Sequence, residues 1–175
     1  DLQLCQRPPT APARRRIGEW ERLVYPDDDF TTARKLYWTQ LETYHRLVDS
    51  HPDKFTLLAS RADLERTLDL WRSPADARPV GLLPLMEGAD AILRPDQVQE
   101  WWDAGLRIIG PCLYGVSPYG HGTSTEGGFF PAGRQLLQEM HRVGMILDVT
   151  HLSDQCFDEA FDLFGGSLLA SHHNN

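Results

Sequence analysis

The stretch from Gly144 to Ser153, with the sequence GMILDVTHLS, decides the fold of this chain. Its apolar run, 145–150, has the length and composition of a buried β-strand. Gly144 precedes the run and suits the end of a helix, whereas Ser153 follows it and can cap the start of another helix. The stretch therefore predicts a helix, a strand and a helix in succession, which is the repeating unit of a parallel α/β sheet.

The same succession recurs along the rest of the chain. Predicted strands cover 55–59, 79–86, 106–110, 145–150 and 167–171, and predicted helices cover 30–49, 62–72, 95–104, 131–142 and 154–163. Apolar strands joined by helices indicate a parallel sheet with helices on both faces. An open doubly wound sheet and a closed (β/α)8 barrel both fit this order. No GxGxxG sequence opens a helix, which argues against a nucleotide-binding sheet, and five βα units are too few to close a barrel.

The N-terminal part of the chain differs from the rest. Residues 1–29 are rich in Pro, Arg and Asp, and Pro8, Pro9 and Pro12 prevent a regular helix there. We therefore expect an irregular segment over 1–29, followed by βα units over 30–175, in a single domain that is a partial barrel if the sheet closes.

Composition and charge exclude several classes of protein. The 175 residues are 41% apolar and 24% charged, as in an ordinary globular protein, and the net charge of −8 argues against a nucleic-acid-binding surface. No apolar run approaches the ~18–20 residues of a membrane span. The first residues, DLQLC, lack the basic start and apolar core of a signal peptide. We therefore expect a cytoplasmic protein without a membrane segment, with Cys5, Cys112 and Cys156 reduced.

Three potential metal ligands stand at the carboxyl ends of predicted strands. Glu87 follows the second strand, His151 follows the fourth and His172 follows the fifth. In parallel α/β folds these ends meet at one rim, where functional residues gather. Imidazole nitrogens and carboxylate oxygens are the ligands of catalytic zinc, so we predict a metal site at this rim. Taken one at a time, each residue also fits a hydrogen-bonded or solvated structural role.

Three blocks of sequence resemble those of the membrane (renal) dipeptidase family of metallopeptidases. They are LMEG at 85–88, GMILDVTHLS at 144–153 and ASH at 170–172, and the helix over 133–140 is similar as well. The family pattern is Glu-Gly, then Gly-Met-x-x-Asp-x-(Ser/Thr)-His-x-Ser, then Ser-His. The resemblance covers about residues 30–175 and implies a (β/α)8 TIM-like barrel of the metal-dependent hydrolase type, of which this chain covers only part.

The resemblance also implies a reaction and a cofactor. It implies hydrolysis of a dipeptide or similar small amide at two zinc ions, with Glu87 bridging both ions and His151 and His172 binding one of them. The second ion is expected to use a His-x-Asp pair at the end of the first barrel strand, and that pair is not in this chain, although Asp1 is reminiscent of its Asp. A later acidic residue and a later Arg are expected after Asn175. The expected partner is a dipeptide or another small molecule, and a homodimer is one option for the assembly.

One position departs from the family pattern. Dipeptide-cleaving members carry a substrate-contacting His after the third strand, where this chain has Leu113. His121, on the following Gly-rich loop over 114–128, is the predicted catalytic replacement, and an exposed loop residue is the alternative. The departure leaves three interpretations: a dipeptidase, a related barrel hydrolase acting on another small amide or ester, and a catalytically incomplete fragment.

Overall fold

The computed structural model describes residues 30–74 and 78–173. The predicted irregular segment over 1–29, including Asp1, lies outside the described residues, as does Asn175. Helices and strands alternate along the described part. The helices are α1 (Phe30–Ser50), α2 (Arg61–Arg72), α3 (Val98–Asp103), α4 (Pro131–Val143) and α5 (Asp154–Leu163). The strands are β1 (Phe55–Leu57), β2 (Val80–Leu82), β3 (Leu85–Glu87), β4 (Ile108–Gly110), β5 (Ile146–Asp148) and β6 (Leu168–Leu169).

The helix ends follow the capping residues that the sequence contains. The Ser60 hydroxyl accepts a hydrogen bond from the amide of Asp63 and caps α2, and the Ser153 hydroxyl accepts one from the amide of Cys156 and caps α5. Gly144 ends α4 with a φ of 84°, a left-handed conformation that favours glycine. These caps confirm the predicted starts of α2 and α5 and the predicted end of α4.

All pairs of strands are parallel, as predicted. β3, β4, β5 and β6 form one sheet in that order, and β1 pairs with β2. The prediction of one continuous strand over 79–86 was wrong, because the chain forms β2 and β3 with an interruption at Leu83 and Pro84. Pro84 has no amide hydrogen to donate to a neighbouring strand, so the ladder breaks there. The two halves consequently pair with different neighbours, β2 with β1 and β3 with β4.

The sheet and helices enclose an apolar core beneath the strand ends. Met86, Ile109 and Leu147 are successive partners across β3, β4 and β5, and all three are fully buried. On the helical side, Trp101 stacks on Trp38 with ring centroids 4.2 Å apart. Burial of this kind stabilises the fold by about 1.5–3 kcal/mol for each large apolar side chain. Within the described residues, no helix is long and apolar enough to cross a membrane.

The connection between β4 and α4 is a closely packed loop. The amide of Thr123 donates to the carbonyl of Leu113 at 2.9 Å, and the amide of Phe130 donates to the carbonyl of Tyr119 at 3.0 Å. Gly133, in the first turn of α4, lies so close to this loop that a β-carbon there would overlap the main-chain oxygen of Tyr119. Glycine therefore allows the helix to pack against the loop that follows β4.

We predict that Gly133→Ala lowers the free energy of unfolding by about 1–3 kcal/mol, because the added methyl group forces α4 away from the loop. The same change at an exposed helical position would stabilise the helix by up to about 1 kcal/mol. Urea denaturation measures the effect. Gln135→Ala, at an exposed position of the same helix, is the control and should change the stability by less than about 0.5 kcal/mol. An unchanged midpoint for Gly133→Ala would contradict the packing described here.

Candidate metal centre

Glu87, His151 and His172 come together at the carboxyl edge of the four-stranded sheet. Glu87 is the last residue of β3, and the two histidines follow β5 and β6. Oε1 of Glu87 lies 2.9 Å from Nε2 of His151 and 3.0 Å from Nε2 of His172. The two Nε2 atoms are 3.0 Å apart. The three ligand-type atoms predicted from the sequence therefore form a nearly equilateral triangle.

The size of this triangle suits a zinc-sized ion. Ligand atoms at the zinc distance of about 2.0–2.2 Å, arranged tetrahedrally, lie roughly 3.3–3.6 Å from one another. An ion placed just above the plane of the triangle would contact all three atoms after small side-chain shifts. Among the His, Cys, Asp and Glu side chains of the described part of the chain, these three form the group whose potential ligand atoms lie close enough together to hold a metal ion.

The electrostatics of the cluster also favour a cation. The Glu87 side chain is 3% exposed, and neither of its carboxylate oxygens has a hydrogen bond of acceptable geometry within the described residues. Burial lowers the pKa of His151, which favours the neutral imidazole, the form that binds metal. A buried carboxylate beside the neutral His151 ring gains no compensating charge from that ring. A divalent cation would provide that charge.

The backbone at His151 is held in an unusual conformation. His151 has a φ of 67°, a left-handed value that is uncommon for residues other than glycine. Such strain clusters at functional sites and persists only where surrounding contacts maintain it. Here the amide of Leu152 donates to the carbonyl of Val149, and the amide of Ser153 donates to the carbonyl of His121. The turn directs the His151 ring toward Glu87.

Polar side chains contact the rings of His151 and His172 on the side away from the triangle. Thr123 Oγ1 lies 3.1 Å from Nδ1 of His151, and Ser171 Oγ lies 2.7 Å from Nδ1 of His172. Ser171 also contacts the buried carboxylate of Asp148 at 2.5 Å. Ser171 therefore connects Asp148 to the ring of His172. Sequence reasoning missed Thr123 and Ser171, although the position of Ser171 directly before His172 was a usable signal.

His121 lies in the loop between β4 and α4, outside the triangle of ligand atoms. Its ring packs edge-on against Phe130 with centroids 5.2 Å apart, and it lies against Gly127, where a β-carbon would come within 2.6 Å of Nε2. Its Nδ1 is buried without a hydrogen-bond partner among the described residues. Glycine at position 127 permits this close packing of the His121 ring. The catalytic role of His121 stays a prediction.

Leu113 and Tyr114 place an aliphatic and an aromatic side chain at the same rim. Leu113 is buried next to Gly88, where a β-carbon would lie 3.6 Å from that of Leu113. Tyr114 tilts against His151 with ring centroids 5.0 Å apart. The position next to Glu87 is thus apolar, with an aromatic side chain beside His151.

A known protein family matches most of the chain. The family described as membrane dipeptidase (peptidase family M19) has a sequence model that matches residues 16–175. The chain belongs to the membrane dipeptidase family. This confirms the resemblance inferred from the three sequence blocks, and the fold is part of the α/β barrel of that family of metal-dependent hydrolases.

Similar proteins include solved structures and curated sequences. A metallopeptidase of Rhodobacter sphaeroides, solved with a phosphinate mimic of the dipeptide L-Ala-D-Ala, is 25% identical, and its superposition covers 82% of this chain and 42% of that one with a TM-score of 0.69. A dipeptidase of Claviceps purpurea is 36% identical over 56 residues, which are 32% of this chain and 12% of that protein. An uncharacterised protein of Klebsiella pneumoniae is 24% identical over 148 residues, 79% of this chain and 52% of that protein. The chain thus spans about half or less of the length of these relatives.

We predict that Glu87→Gln raises the stability of the full-length protein in the presence of EDTA by about 1–3 kcal/mol, because a neutral amide replaces a buried carboxylate that lacks hydrogen bonds. Urea denaturation measures the effect. Glu159→Gln is the matched control. The Glu159 carboxylate accepts hydrogen bonds from the amide of Phe129 and from Arg134, so its loss should lower the stability by about 1 kcal/mol. Equal destabilisation by both changes would contradict the electrostatics inferred for Glu87.

Proposed function

We propose that the protein containing this chain hydrolyses a dipeptide or a similar small amide at a zinc centre, and that Glu87, His151 and His172 are ligands in that centre. The observation that carries the proposal is the convergence of Oε1 and two Nε2 atoms to about 3 Å. Membership of the membrane dipeptidase family supports it. The dipeptide mimic bound to the Rhodobacter sphaeroides metallopeptidase favours a dipeptide as the substrate.

The chain's own residues would hold the metal and shape the site. Bound zinc supplies a Lewis acid that polarises the scissile carbonyl and lowers the pKa of water. Oε1 of Glu87 faces both histidines, which leaves Oε2 for a second ion, as a bridging carboxylate requires. We expect the ligands that complete the second ion, a His-x-Asp pair, in residues that this chain does not contain. A cytoplasmic location and a homodimer stay predictions.

We predict that Glu87→Ala in the full-length protein removes bound zinc and lowers hydrolysis of a small dipeptide by about 10²–10³ or more, because both ions lose a shared ligand. Metal analysis and initial rates on the same preparation measure the two effects together. Asp158→Ala, which removes an exposed carboxylate on α5, is the control and should leave both unchanged. A Glu87→Ala protein that keeps its zinc and its activity would refute the site.

A related hydrolase acting on another small amide or ester is the second proposal, and Leu113 favours it. Its buried aliphatic side chain lies next to Gly88, directly after the Glu87 ligand. An aliphatic group cannot donate a hydrogen bond to the developing oxyanion of a peptide. A substrate with a more reactive carbonyl depends less on such a donor.

We predict weak activity of the full-length protein on ordinary L,L-dipeptides, and an increase in kcat of about 10²-fold for Leu113→His, since one oxyanion donor contributes that much. If His121 supplies the donor instead, His121→Ala lowers kcat and kcat/KM equally. Steady-state kinetics with simple dipeptides and with their ester analogues separate the two proposed substrates. A typical kcat of about 10 s⁻¹ on dipeptides, unaffected by His121→Ala, would contradict the hypothesis that an oxyanion donor has been lost at Leu113 and replaced by His121.

A further inference from the structure

We infer that the hydroxyl groups of Ser171 and Thr123 position the two ligand histidines by accepting a hydrogen bond from the Nδ1–H group of each ring, and that Asp148 sets the direction of the Ser171 hydrogen bond. This inference rests on the proposed metal centre, since it concerns how His172 and His151 present Nε2 to an ion. The three residues are positioning residues, because none of them reaches the triangle of ligand atoms.

The hydrogen bonds around Ser171 leave one consistent arrangement. Oδ1 of Asp148 accepts the main-chain amides of Thr150 at 3.1 Å and Ser171 at 3.2 Å, and Oδ2 lies 2.5 Å from Ser171 Oγ. A carboxylate only accepts hydrogen bonds, and a serine hydroxyl has one proton. Ser171 must therefore donate its proton to Asp148.

The consequence for His172 follows from the same count. Ser171 Oγ has no second proton to donate. At 2.7 Å from Nδ1 of His172, it can only accept a hydrogen bond from that nitrogen. The proton of the neutral ring is then on Nδ1, and Nε2 carries a free lone pair. That lone pair faces Oε1 of Glu87 at 3.0 Å. The Asp148 carboxylate thus determines, through one hydroxyl, which nitrogen of His172 is available to a metal.

Thr123 serves His151 in the same way from a different part of the chain. Its hydroxyl donates to the main-chain carbonyl of His151 at 3.4 Å and lies 3.1 Å from Nδ1 of that ring. A carbonyl only accepts, so with its proton donated to the carbonyl the Thr123 oxygen accepts a hydrogen bond from the Nδ1–H group. Both rings consequently turn unprotonated Nε2 atoms toward the Glu87 carboxylate. Three lone pairs then face one point. They repel one another in the absence of a cation, and a bound cation stabilises the arrangement.

Zinc affinity and ring tautomer test this inference directly. In the full-length protein, Ser171→Ala and Thr123→Val should each weaken zinc binding by about 10–100-fold, measured by competition with a chromophoric chelator. Ser171→Thr and Thr123→Ser keep the hydroxyl and should restore the affinity. Nitrogen-15 NMR of the zinc-free protein should show the Nδ1–H tautomer for both rings, and the hydroxyl deletions should remove that preference only at the ring concerned. Ser117→Ala removes a buried hydroxyl that contacts Cys112 and Gly120, so it is the control and should leave affinity and tautomers unchanged.

Asp148→Asn is the sharpest variant because it keeps the volume and reverses the hydrogen bond. The two main-chain amides hold the oxygen of the new side chain, so its NH₂ group faces Ser171 Oγ and donates to it. Ser171 must then donate to Nδ1 of His172, which moves the ring proton to Nε2 and blocks the metal. The variant should therefore lose zinc affinity as strongly as Ser171→Ala and shift only His172 to the Nε2–H tautomer.

The outcomes separate this inference from the proposed function. Wild-type protein that binds no zinc refutes the proposed metal centre, and the tautomers of the zinc-free protein still test the hydrogen bonds. Wild-type protein that binds zinc, with affinities in Ser171→Ala, Thr123→Val and Asp148→Asn within about twofold of it, refutes the inference. Affinity loss without any change of tautomer also refutes it, because a loss of packing alone would produce that result.

Discussion

The parallel pairing of β3, β4, β5 and β6 is the constraint on which the rest of the structure depends. It places the carboxyl ends of three strands at one edge, so a carboxylate and two imidazoles that are far apart in the chain come within about 3 Å of each other. Gly110 is the partner of Glu87 in β4, and a β-carbon there would make an ordinary van der Waals contact with that of Asp148, 3.7 Å away. The parallel sheet alone therefore brings the backbone positions of the three side chains to one edge.

Stability and chemistry are divided between two layers of the molecule. Below the rim, Met86, Ile109 and Leu147 fill the core with apolar surface. At the rim, a buried carboxylate that accepts no hydrogen bond from the described residues and a left-handed His151 oppose folding. The close contacts of the loop after β4 hold these groups in place, and Ser153 links that loop to α5 through a hydrogen bond to the carbonyl of Gly127. A metal ion bound at the rim would reverse the electrostatic penalty, as ligands that bind the native state stabilise it.

Much of the fold was predictable because its determinants are local. Ser60 and Ser153 cap the helices they precede, Gly144 ends α4, and short apolar runs become strands. The break at Pro84 was not predicted, because a sequence of apolar residues does not show which neighbour each half of a strand will pair with. The strands are also shorter than their apolar runs, since strand length depends on the partners available in the sheet rather than on composition.

The sequence by itself determined the order of the βα units, the caps and the identity of the three ligand-type residues. Each of these depends on neighbours within a few positions or on the general rule that parallel strands end at one edge. Three features follow from the tertiary structure alone: the triangle of atoms, the packing of His121 against Phe130, and the contacts of Ser171 and Thr123 with the rings of His172 and His151. Those contacts join residues distant in the chain, and the direction of each hydrogen bond follows from the full set of donors and acceptors around it.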